Sequence, residues 1–165
     1  MIEYVIQATA PQVGEVLINA NRSLEAYAAY NLRIIQDKTR DYAGPLAGIA
    51  AGIAASSTDF ILSVPCDGPW VPTDLVSRLQ QGLEGSPSDV CIAHDGDRIQ
   101  PIFALFRREA LAAIQYYLDR GDRKLQLWVK QQNAAIADFS DHPEAFINVN
   151  TPEERLRVEG LLLKR

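Results

Sequence analysis

With 165 residues, 47% hydrophobic and 22% charged, the chain has the composition of one globular domain whose core buries roughly two-thirds of the unfolded surface. A net charge of −5 argues against broad electrostatic binding to nucleic acid or to an anionic membrane surface, both of which need basic faces. The sequence has no run of about 18 apolar residues, and Met1-Ile2-Glu3-Tyr4-Val5-Ile6 has no basic start of a secretory leader, so the cytoplasm is the expected compartment.

Strand-like runs alternate with helix-length segments, which predicts a mostly parallel sheet covered by helices. Glu15 to Asn19 reads as a strand, Ser23 to Tyr30 as a short helix and Leu32 to Ile35 as a strand. A helix from Pro45 to about Ala55 precedes the strand 59–64, and a second helix from Pro72 to Leu83 has Thr73 as a candidate cap. Strands follow at Asp89 to Ala93 and Gln100 to Phe106, joined by a turn at His94-Asp95-Gly96-Asp97, the Asp-Gly pair being a hairpin signal. The spacing then predicts helices over Arg108 to Leu118 and Lys124 to Gln131, an edge strand Ala135 to Phe139 and a last strand Ala145 to Val149. A C-terminal helix is expected after Asn150, where Thr151 can cap, Pro152 suits the first position and Glu153 and Glu154 face the positive end of the dipole.

Chemistry is expected where strands end, because in a parallel sheet those ends share one edge. Asn19 with Asn21-Arg22, Asp37, Asp67, and Asn148 with Asn150 occupy such positions. Asp67 closes the apolar run Phe60-Ile61-Leu62-Ser63-Val64-Pro65-Cys66. It is placed to hold a metal or substrate, or alternatively to open a turn and cap the helix that follows. Magnesium suits such a site, since it takes one or two protein oxygens alongside substrate phosphates, and Asn148 or Asn150 offers a second oxygen.

Gly44-Pro45-Leu46-Ala47-Gly48 opens a helix of small residues, read either as close packing on the sheet or as backbone N–H groups facing an anion. The Arg120-Gly121-Asp122-Arg123-Lys124 cluster is either a solvated helix end or a grip for a phosphorylated small molecule. Cys66, Cys91, His94 and His142 lack zinc-ligand spacing, and Asp67 beside Cys66 raises rather than lowers a thiol pKa. A nucleophilic cysteine is therefore not expected.

Taken in order, Leu17-Ile18-Asn19-Ala20-Asn21-Arg22, Asp37, Gly44-Pro45-Leu46-Ala47-Gly48, Pro65-Cys66-Asp67, His94-Asp95-Gly96, Gln100-Pro101, Asp138 to His142 and Asn148-Val149-Asn150-Thr151-Pro152-Glu153 closely resemble the molybdenum cofactor guanylyltransferase (MobA) family. The resemblance implies an α/β fold of the nucleotide-diphospho-sugar transferase type, a Rossmann-like three-layer α/β/α sandwich, over a single domain 1–165. It implies transfer of GMP from magnesium-bound GTP to the phosphate of molybdopterin carrying molybdenum, with release of pyrophosphate. By position, Asn19, Asp37 and Asp67 would contact the nucleotide, and Asp67 would be the catalytic magnesium ligand with Asn150. Asn148, Asn150, Lys124 and Arg123 would meet molybdopterin. Other cofactor-biosynthesis proteins and molybdoenzymes are the implied protein partners. A CTP-using or sugar-phosphate nucleotidyltransferase and a non-catalytic molybdopterin-binding relative are the alternatives.

In one respect the sequence departs from the family pattern. The family opens with a strand and a Leu-Ala-Gly-Gly loop, then Arg-Met-Gly and Asp-Lys, none of which this sequence contains; Met1 to Ile6 match the middle of the family's first helix. About 35 residues of a βαβ unit are thus expected to be missing, by a mistaken start or as a fragment, including a central strand. Weak activity and low stability are expected unless another segment fills the gap.

Overall fold

The computed structural model describes residues 1–37, 44–147 and 149. Helix α1 (Ile2–Thr9) runs into a 3₁₀ turn at Ala10–Gln12; strand β1 (Leu17–Asn19), helix α2 (Leu24–Ala28) and strand β2 (Arg33–Ile35) follow. Next are α3 (Pro45–Ala55), β3 (Phe60–Ser63), α4 (Leu75–Leu83), β4 (Val90–His94), β5 (Ile99–Arg107), α5 (Ala110–Asp119), α6 (Leu125–Gln131) and β6 (Ala135–Asp138). The expected elements up to residue 138 are present, with ends shifted or shortened by a few residues.

Two sheets form among the described residues. β1 pairs β2 in parallel, Ile18 opposite Ile34. The second sheet has the order β3-β5-β4-β6. In it β4 and β6 are parallel, and β5 runs antiparallel to both of its neighbours. The antiparallel pair follows from the short Asp-Gly hairpin joining β4 to β5, since the four residues 95–98 cannot make a parallel crossover. Register slips between Ile92, opposite Ala104, and Ala93, opposite Gln100. Residues 101–103 of β5 are left without a partner on β4, and the stretch begins at Pro101, which has no N–H to give to a ladder.

Alternation along β4 and β5 divides the interior into two cores. Cys91, Ala93, Phe103 and Leu105 face α1 and α4, where Val5, Leu75, Leu79 and Leu83 are buried with Phe139 and Phe146. Val90, Ile92, Ala104 and Phe106 face α3, α5 and α6, against Leu46, Ile53, Ile114 and Trp128. Successive strand residues point to opposite faces, so a strand buried on both sides reads as one apolar run. The result is helices on both faces of a sheet, the expected three layers.

Two polar ties hold the first layer in place. Gln12 donates to the carbonyls of Ala8 and Pro72, both at 2.9 Å, and accepts the Val76 N–H, joining the end of α1 to the start of α4. Arg78 grips Asp141 with both terminal nitrogens at 2.7 and 2.6 Å, reaches Asp74 through Nε at 2.7 Å and lies 5.0 Å over the Phe139 ring. The fork fixes α4 against the end of β6 and holds the Asp141 carboxyl below its ordinary range.

Two local expectations are corrected. Ala145 and Phe146, expected to open a strand, lie instead in a 3₁₀ turn, Pro143–Phe146, and neither Ile147 nor Val149 is in a strand. Pro143 at its first position favours the turn, and Phe146 packs edge-on against Phe103 and Phe139, with centroids 4.9 and 5.6 Å away. Thr73 does not cap α4; Asp74 holds that position without a side-chain cap bond, its carboxylate being engaged by Arg78. The expected C-terminal helix lies outside the described residues.

Helix α4 lies so close to the sheet that a Cβ on Gly82 would stand 2.5 Å from the Cys91 sulfur. Gly82→Ala is expected to destabilise the fold by about 1–3 kcal/mol through overpacking, against a helix-propensity gain of about 1 kcal/mol. Urea unfolding checks this, and a Cys91→Ala background should remove most of the penalty, a coupling read from the double-mutant cycle.

Candidate functional site

β1 and β2 are parallel neighbours, so the residues leaving them emerge side by side. Asn19 ends β1, Asn21 follows two residues later and Asp37 lies two residues past β2. The Asp37 carboxylate accepts one bond from the Asn19 amide at 3.0 Å and another from the Asn21 amide at 2.8 Å, and the Asp37 N–H donates to Asn21 Oδ1 at 2.9 Å. Asn19 is exposed and Asp37 half-buried. The cluster is an orienting array: an ionised carboxylate fixed by two carboxamides, with acceptor lone pairs left to take N–H or O–H donors from a ligand.

The α3 start completes this corner. Gly44 has φ +73°, a left-handed conformation that favours glycine, and Pro45 takes the first helical position. One turn on, Gly48 leaves no room for a side chain, because a Cβ there would meet Asn19 Oδ1 at 2.5 Å. Packing therefore explains Gly48, and it also fixes which way Asn19 points. The sequence names Asn19 with Asn21, and Asp37, among the polar strand ends, and offers close packing as one reading of Gly48, but it assigns Asn21 no role in the site and does not show that Gly48 packs on Asn19. The Asn-Ala-Asn alternation at the strand exit was the available signal.

Asp67 lies in the turn after β3, half-buried, and its carbonyl accepts the Val149 N–H at 2.9 Å. Among the described residues no hydrogen bond or ion pair engages its carboxylate, and it does not cap α4. Asn148 and Asn150 lie outside the described residues. Cys66 beside it is exposed by area, yet its thiol titrates above the ordinary range, first because of desolvation where it borders a cavity and then because of the Asp67 charge. It is no activated nucleophile.

Arg123 and Lys124 occupy the α5–α6 link. Arg123 Nη1 donates to the Leu118 carbonyl at 2.6 Å and the Asp122 carbonyl at 3.1 Å, closing the end of α5. Lys124 is the cap position of α6 and its carbonyl accepts the Tyr117 hydroxyl at 3.4 Å. This link passes beside the start of α3, where a Gly44 Cβ would be 3.4 Å from the Arg123 carbonyl. Among the described residues no hydrogen bond or ion pair joins either side chain to Asp37 or Asp67.

The His94 segment is the expected hairpin turn. His94 Nδ1 accepts the Gly96 N–H at 3.0 Å, and Asp95 takes the Asp97 and Arg98 N–H groups at 2.8 Å and Gln100 at 2.6 Å. Burial alone would raise the Asp95 pKa, but these donors together outweigh it and lower the value. Among the described residues no three His, Cys, Asp or Glu side chains gather as a metal cluster. No helix among them is long and apolar enough to cross a membrane.

Known proteins agree with this architecture. The MobA-like NTP transferase domain family matches residues 1–136. A molybdenum cofactor guanylyltransferase of Shewanella sediminis (strain HAW-EB3) is 42% identical over 164 residues, 99% of this chain and 84% of its own. One from Vibrio parahaemolyticus serotype O3:K6 is 44% identical over 154 residues, 93% of this chain and 78% of its own. Among solved structures, molybdopterin-guanine dinucleotide biosynthesis protein A from Archaeoglobus fulgidus superposes with a TM-score of 0.79 at 21% identity, covering 99% of this chain and 86% of that one. The 2-C-methyl-D-erythritol 4-phosphate cytidylyltransferase of Thermus thermophilus gives 0.70 at 17%, covering 98% and 88%. The two structures share the fold.

Gly48→Ala is expected to keep or slightly raise the melting temperature, alanine being favoured over glycine in a helix by about 1 kcal/mol, while pushing the Asn19 side chain off Asp37. The Asn19 side-chain amide resonances in an NMR spectrum should move and no longer respond to Asp37→Ala; unchanged resonances would show that Gly48 does not position Asn19.

Proposed function

Because the chain belongs to the MobA-like NTP transferase family and is a nucleotidyltransferase, we propose that it transfers GMP from GTP to the phosphate of molybdopterin, forming the guanine dinucleotide of the molybdenum cofactor. The observation that carries this reading is the Asn19–Asn21–Asp37 clamp at the strand edge, supplemented by the unengaged carboxylate of Asp67 after β3. The names of the curated relatives favour guanine over other bases.

In this reading the molybdopterin phosphate oxygen attacks the α-phosphorus in line. The new P–O bond forms as the bond to the bridging oxygen breaks, and its electron pair leaves with pyrophosphate. No protein nucleophile is required, so catalysis is positioning and charge neutralisation. Asn19 and Asp37 orient the nucleotide. Asp67 fits a hard cation, offering a half-buried carboxylate that no described residue engages. With Asn150 it would hold Mg²⁺, which supplies neutralisation of phosphate charge. Asn148, Asn150 and Lys124 meet molybdopterin, and Arg123 joins them once its guanidinium leaves the Leu118 carbonyl.

Binding of GTP, CTP and ATP by calorimetry, with pyrophosphate release in the presence of molybdopterin, tests the reading. GTP should bind tightest, and Asp67→Ala should lower the Mg²⁺-dependent rate by about 10²-fold or more with the melting temperature little changed. Tightest binding of CTP would overturn the choice of base, near-normal rates in Asp67→Ala would leave that residue a turn former, and molybdopterin binding without any pyrophosphate release would mark a non-catalytic binder.

A further inference from the structure

A small pocket of about 170 Å³ opens where β4 begins, between the first turn of α5 and the end of α6. Trp128 of α6 and Gln132 at its C-terminal cap are four residues apart, and Ala110 and Ala113 of α5 three apart, so each pair presents one helical face to the pocket. Ser88 and Asp89, at the entry to β4, form the third wall. Strands β3 and β4 both run antiparallel to β5 and hence parallel to each other. The pocket therefore lies at the sheet edge opposite Asp67, separated from it by the five residues of β4, roughly 16 Å.

Trp128 lines this pocket while only 1% exposed, and its indole Nε1 is the one buried side-chain nitrogen without a hydrogen-bond partner among the described residues. Its ring is held in the core beside Phe106, with centroids 6.2 Å apart, and a buried donor left unpaired keeps its full desolvation cost. Next to it the start of α5 carries the positive end of a helix dipole, and Glu109 at the cap position makes no side-chain bond to the first-turn N–H groups. That side favours a carboxylate. The other side favours a cation, because Asp89 is itself a carboxylate and Gln132 ends α6, where carbonyl oxygens lack helical partners. Among the described residues neither the Asp89 nor the Gln132 side chain makes a hydrogen bond or ion pair. Ser88 is closed on its neighbour instead: its hydroxyl donates to the Val90 carbonyl at 3.0 Å and accepts the Val90 N–H at 3.2 Å.

We propose that this pocket binds a small α-amino acid as its zwitterion. The ligand carboxylate accepts the Trp128 indole N–H and faces the start of α5, and the ammonium donates to the Asp89 carboxylate and the Gln132 side-chain oxygen. A simple anion would leave Asp89 without a counter-charge, and a simple cation would leave the indole N–H without an acceptor, so both charges belong to one molecule. At roughly 30 Å³ per liquid water the space matches five or six water-sized groups, the size of alanine.

L-Alanine titrated into the 165-residue chain without nucleotide tests this, with nitrogen–proton correlation spectra followed at the Trp128 indole and at the backbone amides of Asp89 and Ala110. All three resonances should move together and saturate, the indole proton shifting downfield as it gains an acceptor. Propionate, ethylamine and propionamide, each lacking one charge or both, should give no saturable shift at the same concentrations. Trp128→Phe should weaken binding about tenfold or more, read at the backbone amides. Because that change also touches the core, Ala113→Leu gives a second arm: from an exposed position it fills the pocket, and it should abolish the saturable shifts with the melting temperature little changed. An unmoved indole resonance, binding of propionate, ethylamine or propionamide as tight as that of alanine, or unaltered affinity in either variant would overturn the proposal. The pocket shares no residue with the nucleotide edge, so its failure leaves the guanylyl-transfer reading standing.

Discussion

Helix α3 is the element on which the rest of the molecule depends. Among the described residues the β1–β2 pair makes no ladder with the four-stranded sheet, so α3, which packs on β1, β2 and β3 and on α5, is the main bridge between them. It carries no charged residue over Pro45–Ala55 and is built largely of alanine, glycine and isoleucine. Such a helix is stable only when covered, because it has no polar face to offer water. Gly48 leaves α3 close against the Asn19 side chain at the end of β1, and Gly52 faces Ile35 of β2; this packing both holds the sheets together and aims Asn19 at Asp37. Structure and site share one contact.

The polar corner and the turn at Asp67 differ in how they are held. Asp37 is clamped by two neutral amides, and its geometry is set before any ligand arrives. Asp67 has its backbone fixed through Val149 while its carboxylate stays unengaged among the described residues. One group is therefore preorganised and the other available, a division suited to a site that must orient one partner and neutralise charge on another. By contrast, Arg78, Asp74 and Asp141 satisfy one another, and Asp95 is consumed by its own turn. Strong polar contacts there shape the scaffold.

Much of this was readable from residue order. The two-sided apolar runs at 90–93 and 102–106 announced interior strands, the Asp95-Gly96 pair announced the hairpin, and the polar strand ends led to Asn19, Asp37 and Asp67. Local pattern failed where a distant partner decided the outcome. Ala145 to Val149 has the composition of a strand, but Phe146 is drawn into the aromatic group of Phe103 and Phe139, and a Pro-started 3₁₀ turn delivers it there. A short apolar run cannot report that by periodicity. Nor could the sequence show that Arg123 folds back on α5, since a basic cluster looks the same whether it caps a helix or awaits a phosphate. The division into two sheets depends on pairing between distant strands and leaves no local trace.

The two thiols differ in a way that makes one of them a natural gauge. Cys91 is fully buried, pressed against Gly82, and its pKa is pushed up to about 11 by burial. Cys66 is the accessible one, at the mouth of the space between β1 and β3, and it too is a slow nucleophile because its thiolate is disfavoured. An alkylating reagent would therefore mark a single sulfur, at a rate set by the burial and the Asp67 charge around it. Whatever enters the space or binds beside Asp67 changes both, so the native chain carries its own chemical clock for occupancy of that corner.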